Sequence, residues 1–452
     1  MALFSRSFHL MILSLGLLSG FAQGAPLKLE DFLKQVEGAN PGYRGLIEES
    51  SSSQAISEQA NLLFKPQFFT QLQYVDDTRD TPSPGIQGTS NIRRSASIGL
   101  REQTPWGLGV QLSLDTNRSI LFNVDPTLVP RPDLTNSYIV PLLNFSLWQN
   151  FLGRSDRANQ KVQRAQELAN AYGKAFQARS VLVEAETTFW KLAVTRELLK
   201  VQAESVKRAR AILNFDERKT KKHLEDSSEL LLAKSAALGK ELELRSMRDE
   251  EQSAALAFNA ARGVESSEVS DDLSIPDIET LRNLKPPKRD PRSLGVDASE
   301  QAYLAQAAGS EMARQKLLPE LSLYGSIFNW GLNFSFPLDV GSTSDIREGY
   351  ARKAAAADLQ FQKKIIDEDH QWQELNRKFS DAQARLEIAR ELEAIQKNKF
   401  ENVSKRRSRG LTIEDQVFQY ELDSLNASLA RVQIEGLILG IRAQMKLFGS
   451  AE

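Results

Sequence analysis

Few side chains in this sequence could carry catalysis. Beyond residue 25 it holds two histidines, His223 and His370, and no cysteine. A nucleophile or a transition-metal site would depend on these two imidazoles. His370 ends an acidic run in IIDEDHQW, but consecutive helical residues point in different directions and cannot converge on one ion. We therefore interpret this run as a solvated helix face and predict no enzyme, no cofactor and no bound metal.

Two charged turns are the other candidate functional elements. RKTKKHLEDSSELL begins at Arg218 and RRSRGLTIEDQV at Arg406, and each places basic residues before the turn and acidic residues after it. Helix dipoles alone can explain this order, because cations stabilise a helix C-terminus and anions an N-terminus by about 0.3–1 kcal/mol each. Gly410 can also cap the preceding helix. A functional role remains open beside this structural explanation.

The first residues have the pattern of a cleavable secretory signal. Residues 1–24 combine Arg6 with an apolar run over 10–21 and small residues near the end, and the mature chain is expected to begin near Ala25. Without cysteine, an exported chain has neither disulfides nor a thiol for acylation. A net charge of -2 gives no basic field for nucleic acid. Beyond the signal no apolar run reaches 18 residues, so no transmembrane helix is predicted.

The rest of the chain alternates between two unlike kinds of sequence, and the order occurs twice. The predicted boundaries are 25–263 for the first repeat (helix 29–63, β segments 66–150, long helical hairpin 155–262), 264–290 for a linker or equatorial segment, and 291–449 for the second repeat (helix 294–317, β-hairpin 319–338, long helical hairpin 345–448).

Matching landmarks in the two repeats keep a constant offset. Asn150 and Pro337 end the two β regions, and His223 and Gly410 centre the two charged turns; both pairs are 187 residues apart. The sequence therefore predicts a tandem duplication with long helices of equal length. As one helix, the stretch from Asn150 to His223 would span about 110 Å, and the 40-residue return about 60 Å.

Apolar residues recur at steps of three and four along these helices, as from Leu422 to Ala443, which predicts coiled-coil packing. An antiparallel bundle within one chain would show the same spacing. In GLGVQLSLD and WGLNFSF, apolar residues alternate with Gly, Gln, Ser and Asn. This pattern suits a barrel with lipid outside and water inside, or a soluble sandwich with one solvated face. Export, strand length and aromatic ends favour the membrane.

The sequence resembles the TolC-like outer-membrane efflux proteins over essentially its whole mature length. LKLEDFLKQVEGANPGYRG near the start, the LFKPQF and LLPELSL junctions, the strand end NFSFPLD and the RGLT turn carry the resemblance. It implies an α plus membrane-β fold, in which a homotrimer forms one outer-membrane β-barrel continuous with a long periplasmic α-helical barrel. The implied function is a passive export duct, surrounded by outer-membrane lipid and opened by a periplasmic adaptor protein and an inner-membrane transporter, in efflux or type I secretion.

The resemblance also assigns roles to the charged turns. Two departures affect these assignments: His223 stands where the family usually has glycine, and Phe418 takes the place of a second aspartate. The implied adaptor-docking tips are His223, Leu224, Gly410, Leu411 and Thr412, and the implied periplasmic gate is Glu414 and Asp415.

The first repeat departs from the family in its strands. It has four alternating segments where the family usually has two, with TPWG as the extra turn. Six strands per chain would give a wider barrel or a hairpin outside its wall. The alternative to a duct is a periplasmic adaptor or a coiled-coil scaffold without a barrel, although an adaptor would normally carry one long hairpin.

Overall fold

The computed structural model describes residues 26–221, 227–407 and 414–449. The helices within these ranges are α1 Leu29–Ala39, α2 Pro41–Ser57, α3 Pro84–Gln87, α4 Arg154–Lys221, α5 Ser227–Ala261, α6 Ile278–Arg282, α7 Leu294–Lys316, α8 Val340–Arg407 and α9 Glu414–Met445. The strands are β1 Gln67–Asp77, β2 Ser90–Gln103, β3 Leu108–Phe122, β4 Asp133–Ser146, β5 Glu320–Ser326 and β6 Trp330–Ser335. Two 3-10 turns, Glu58–Phe64 and Phe151–Gly153, precede β1 and α4. The predicted signal, 1–24, lies outside the described residues.

The first predicted helix, 29–63, is broken at Asn40, so the single-helix prediction is wrong there. Asn40 has extended backbone angles, and its side chain accepts a hydrogen bond from the Tyr43 N–H at 2.9 Å, which caps α2. Pro41 occupies the first helical position, where its missing N–H costs nothing. The Asn40 amide also donates to the Ala261 carbonyl at 2.7 Å, which fixes the break against the end of α5.

Two helices of equal length form the long axis of the molecule. α4 and α8 have 68 residues each, or about 100 Å at 1.5 Å per residue. α4 packs against α2 and α7 along the half near the sheet and against α5 and α9 along the other half. Of the seam positions predicted in α9, Val432, Leu439 and Ala443 are buried. Within the described residues, no helix combines the length and apolarity that a membrane span requires.

The main hydrophobic core lies at mid-height, where α1 and the linker meet the long helices. Phe32, Phe189, Phe258 and Ile438 are all essentially inaccessible to solvent. The rings of Phe32 and Phe258 stack with centroids 4.3 Å apart. Burial of such side chains contributes about 1.5–3 kcal/mol each. This belt therefore holds both helical hairpins to the segment that joins the repeats.

The acidic run before His370 has a structural role. Glu368 is only 5% exposed, so the prediction of a solvated face is wrong at this residue. Its carboxylate accepts a hydrogen bond from the Ser293 hydroxyl and lies 3.1 Å from the Lys364 ammonium. The neighbouring Asp369 pairs with Arg289 of the linker. These acids thus anchor the start of α7 and the linker to α8. The residues that the structure describes include no group of three or more His, Cys, Asp or Glu side chains able to hold a metal ion.

Candidate channel wall and helical tips

All six strands belong to one antiparallel sheet, in the order β1-β2-β3-β4-β5-β6. The extra β2–β3 hairpin of the first repeat is therefore part of the sheet. β2 pairs with β1 over 11 residues and with β3 over 14. Only the four-residue turn 104–107 separates β2 from β3, as the TPWG motif predicts. The sheet thus contains six strands from a single chain.

The register divides the side chains into two faces, because directly paired residues point to the same side. One row of the apolar face contains Phe68, Leu100 and Leu112, and another contains Leu323 and Leu332. These side chains are largely exposed in a single chain; Phe68, for example, is 66% exposed.

The opposite face of the sheet carries mainly polar and small side chains, with a few apolar ones such as Phe69 and Val140. One row on this face contains Gln71, Ser97 and Asp115, and another contains Gln73, Ser95 and Asn117. A large exposed apolar face marks a surface that contacts a partner or a membrane. The sheet therefore presents an apolar surface on one side and a hydrophilic wall on the other.

The sheet narrows away from the helices. β5 pairs with β4 only as far as Leu142, which lies opposite Ser326. Pro141 precedes Leu142 in β4 and is the next position away from the helices. In the alternating pattern of the strand, its backbone nitrogen would point toward β5. Proline has no N–H, so the β4–β5 ladder cannot continue there. The sheet is six strands wide near the helices and four strands wide beyond Pro141.

The extra hairpin is joined closely to the start of α4. A Cβ on Gly153 would lie 2.1 Å from the Pro105 carbonyl oxygen, and the φ of Gly153 is 70°. Only glycine allows this approach of the two backbones. Arg157 donates to the carbonyls of Pro105 and Leu152, both at 2.6 Å. Gln103 of β2 donates to Asp156 at 2.9 Å. The sheet is thereby fixed directly to the long helix.

The long helices α4 and α8 end immediately before the predicted tip residues in the sequence. α4 ends at Lys221 and α5 begins at Ser227; α8 ends at Arg407 and α9 begins at Glu414. The docking residues His223, Leu224, Gly410, Leu411 and Thr412 lie outside the described residues. Glu414 and Asp415 occupy the first turn of α9, but their side chains are not among those described. All seven assignments therefore stay predictions.

Contacts between the two hairpins lie a few turns from these tips, and the sequence did not reveal them. The Arg208 guanidinium of α4 lies 2.8 Å from the Glu421 carboxylate of α9 and 3.0 Å from Glu204. Phe215 and Phe418 pack edge to face with centroids 6.2 Å apart. Burial raises the pKa of Glu421, and Arg208 partly offsets this effect. Phe418 thus joins the hairpins where the family pattern would place an aspartate.

A sheet with one apolar and one hydrophilic face, continued by two helices of about 100 Å each that fold back as helical hairpins, is a fold shared with solved outer-membrane channels. The outer-membrane channel OprN matches with a TM-score of 0.67 and 16% identity over 94% of this chain and 90% of that chain. The CmeC channel of Campylobacter jejuni matches with a TM-score of 0.66 and 14% identity over 94% and 87%. The outer-membrane protein VceC of Vibrio cholerae matches with a TM-score of 0.65 and 13% identity over 94% of this chain and 97% of that chain. No protein-family model and no curated protein sequence matches this chain.

Proposed function

We propose that this protein is a passive export duct of the outer membrane. Three copies would contribute six strands each, giving an 18-stranded barrel, and the helical hairpins would continue the passage into the periplasm. The apolar face of the sheet would contact lipid, and the hydrophilic face would line the water-filled lumen. The duct carries out no chemistry, and the energy for export comes from an inner-membrane transporter.

The apolar face that spans all six strands carries this proposal. It places Phe68, Leu100, Leu112, Leu323 and Leu332 on one exposed surface. A periplasmic adaptor or a coiled-coil scaffold has no use for such a surface, because in water it would promote association. A closed barrel also pairs the free edges of β1 and β6 between copies, which an open sheet in lipid cannot do.

The ends of the helical hairpins would form the periplasmic entrance. We assign docking of an adaptor protein to His223, Leu224, Gly410, Leu411 and Thr412, and gating to Glu414 and Asp415. α4 and α8 end immediately before these turns in the sequence, and each helix ends about 100 Å from the sheet, which supports this assignment. The ion pair between Arg208 and Glu421 would help keep the entrance closed at rest, because it joins the two hairpins near their ends.

Purification from outer membranes tests the proposal. The expected result is a trimer that survives in SDS without heating, separates to a monomer on boiling, and conducts ions in planar bilayers. Trypsin treatment of intact cells should leave the helical hairpins uncut, and treatment after outer-membrane permeabilisation should expose them. A monomer found in the soluble periplasmic fraction would refute the duct and favour the scaffold alternative.

A further inference from the structure

A basic groove lies between α4 and α7 immediately below the sheet. It has a volume of about 690 Å³. Apolar side chains, among them Leu168 and the 42% exposed Leu304, line part of it. Four cationic side chains of α4 line it along one stripe: Arg154, Arg157, Lys161 and Arg164.

This basic stripe is unfavourable for the helix that carries it. The N-terminal turns of a helix favour negative charge, but here Arg154 and Arg157 place two cations beside the single carboxylate of Asp156. Residues three and four apart are neighbours on a helix, so the four like charges also repel one another. A stripe that breaks both rules indicates an anionic partner from outside the helix.

The described contacts of the groove compensate little of this charge. Arg157 donates to two backbone carbonyls, which are neutral. Arg164 lies 4.0 Å from Glu58, the limit of an ion pair, and more than half of each side chain is exposed. One carboxylate, Glu311, is among the residues that line the groove. The groove therefore keeps an excess of positive charge.

The chirality of the backbone decides whether the groove opens on the apolar or the polar side of the sheet. The Leu147 N–H donates to the Leu321 carbonyl, and the Ser146 N–H points to Gly107. Odd-numbered residues of β4, which carry the apolar face, thus direct their N–H groups toward β5. In a strand of L-residues that runs downward, each residue whose side chain faces the viewer directs its N–H to the left. Seen from the apolar face with the helices below, β5 lies to the left of β4.

The same view fixes the orientation of α4. α2 and the 3-10 turn Glu58–Phe64, which lead to β1, lie on the right, where Gln160 donates to Asn61 of that turn. α7, which leads to β5, lies on the left, where Val162 packs beside Gly309. α4 descends, so its residues advance clockwise by about 100° each when seen from the sheet. Gln160 faces the 3-10 turn on the right and Val162 faces α7 on the left. Lys161 lies between them in the clockwise direction, about 100° from Gln160, and therefore faces the viewer. The groove opens on the same side as the apolar face.

The groove also lies at the depth of a membrane interface. Arg157 binds the Pro105 carbonyl at the helical end of the β2–β3 hairpin, and the adjacent Trp106 is 68% exposed. Exposed tryptophan next to an apolar strand surface is typical of the boundary between acyl chains and head groups. From Arg154 to Lys161 the helix descends only about 10 Å. Long cationic side chains can reach upward over that distance.

We propose that this groove binds the phosphodiester head group of an anionic phospholipid in the periplasmic leaflet. The cations contact the phosphate, and the glycerol backbone and acyl chains continue upward along the apolar face of the sheet. The proposal rests on the outer-membrane placement proposed above. Each basic side chain near an anionic lipid surface improves binding about fivefold, so two of them account for about 25-fold.

Native mass spectrometry of the full-length protein in detergent tests this site. Palmitoyl-oleoyl phosphatidylglycerol is the probe, and phosphatidylcholine with the same acyl chains is the comparison. The test variant combines Arg154→Gln with Lys161→Gln, which leaves the Arg157 contacts intact. The matched control combines Lys200→Gln with Lys207→Gln, two exposed lysines lower on the same helix. Both variants remove two positive charges.

The wild type and the control should retain phosphatidylglycerol in preference to phosphatidylcholine, and the test variant should bind phosphatidylglycerol about 25-fold more weakly. Equal retention by the test variant and the control would overturn the proposal. Displacement of the lipid by millimolar glycerol phosphate would also overturn it, because the ligand would then be a soluble phosphate ester. Trimer mass in the same spectra reports on the duct separately, and the comparison of lipid adducts can be read on a monomer too.

Discussion

Replacing Glu421 by glutamine should open the periplasmic entrance of the proposed duct. Glu421 is the carboxylate through which α9 of the second hairpin pairs with Arg208 of the first. Its side chain is 14% exposed and that of Arg208 37%, so solvent screens this pair less than it screens a surface ion pair. Glutamine has almost the same shape and keeps the packing, but removes the charge that attracts Arg208.

The expected magnitude follows from the burial of the pair. Exposed ion pairs contribute about 0–1 kcal/mol, and breaking a fully buried pair costs about 3–5 kcal/mol. The Arg208–Glu421 pair is half-buried, and Arg208 keeps Glu204 as a second partner when Glu421 is replaced. Breaking this pair should therefore cost about 1 kcal/mol. Three copies in a trimer would then shift the equilibrium between closed and open states by about 3 kcal/mol, or about 150-fold.

Single-channel recording in planar bilayers measures this shift as a rise in conductance and in open time. Glu241→Gln is the matched control, because Glu241 pairs with Arg210 at 2.7 Å inside the first hairpin and does not join the two hairpins. If both variants conducted like the wild type, Arg208 and Glu421 would not hold the entrance closed. If both opened the channel equally, the effect would come from local loosening of α4.

Three further predictions test the wall, the core and the tips. Leu112→Arg on the apolar face should cost about 2–4 kcal/mol in the bilayer and reduce the yield of heat-resistant trimers, while Gln111→Arg on the polar face should not; equal yields would contradict the assignment of faces. Phe258→Ala should cost about 3–5 kcal/mol and lower the midpoint of thermal unfolding; an unchanged midpoint would show that the mid-height core does not limit stability. Asp415→Lys should shift ion preference from cations toward anions in bilayer recordings, and unchanged conductance and preference would refute its role in the gate.

Local patterns in the sequence account for the long helices and the strands. The constant offset of 187 residues requires long helices of equal length, and α4 and α8 have 68 residues each. Alternation in GLGVQLSLD predicts the two faces that the register shows. Helices and strands depend on residues that are close together in the sequence, and the spacing of apolar residues indicates such local structure.

The features that the sequence did not reveal depend on distant partners. The break at Asn40 has a local signal in Asn40-Pro41, which the single-helix prediction overlooked, but its hydrogen bond to Ala261, 221 residues away, has none. The pairing of Arg208 with Glu421 spans more than 200 residues and depends on the packing of α4 against α9. The burial of Glu368 depends on Ser293 and the linker. A single sequence contains no signal for such pairs, because each partner alone resembles an ordinary surface residue.

The function proposed for the basic groove depends both on residue spacing in the sequence and on backbone directions in the structure. The spacing of Arg154, Arg157, Lys161 and Arg164 is visible in the sequence, and so is its conflict with the start of a helix. The side of the molecule that this stripe faces is not visible there. It follows from the direction of the backbone hydrogen bonds of β4 and from the right hand of α4. On the lumen side, the same four cations would line the passage and select anions; on the apolar side, they meet lipid phosphate. The strand hydrogen bonds therefore decide between two functions that the residues alone leave equal.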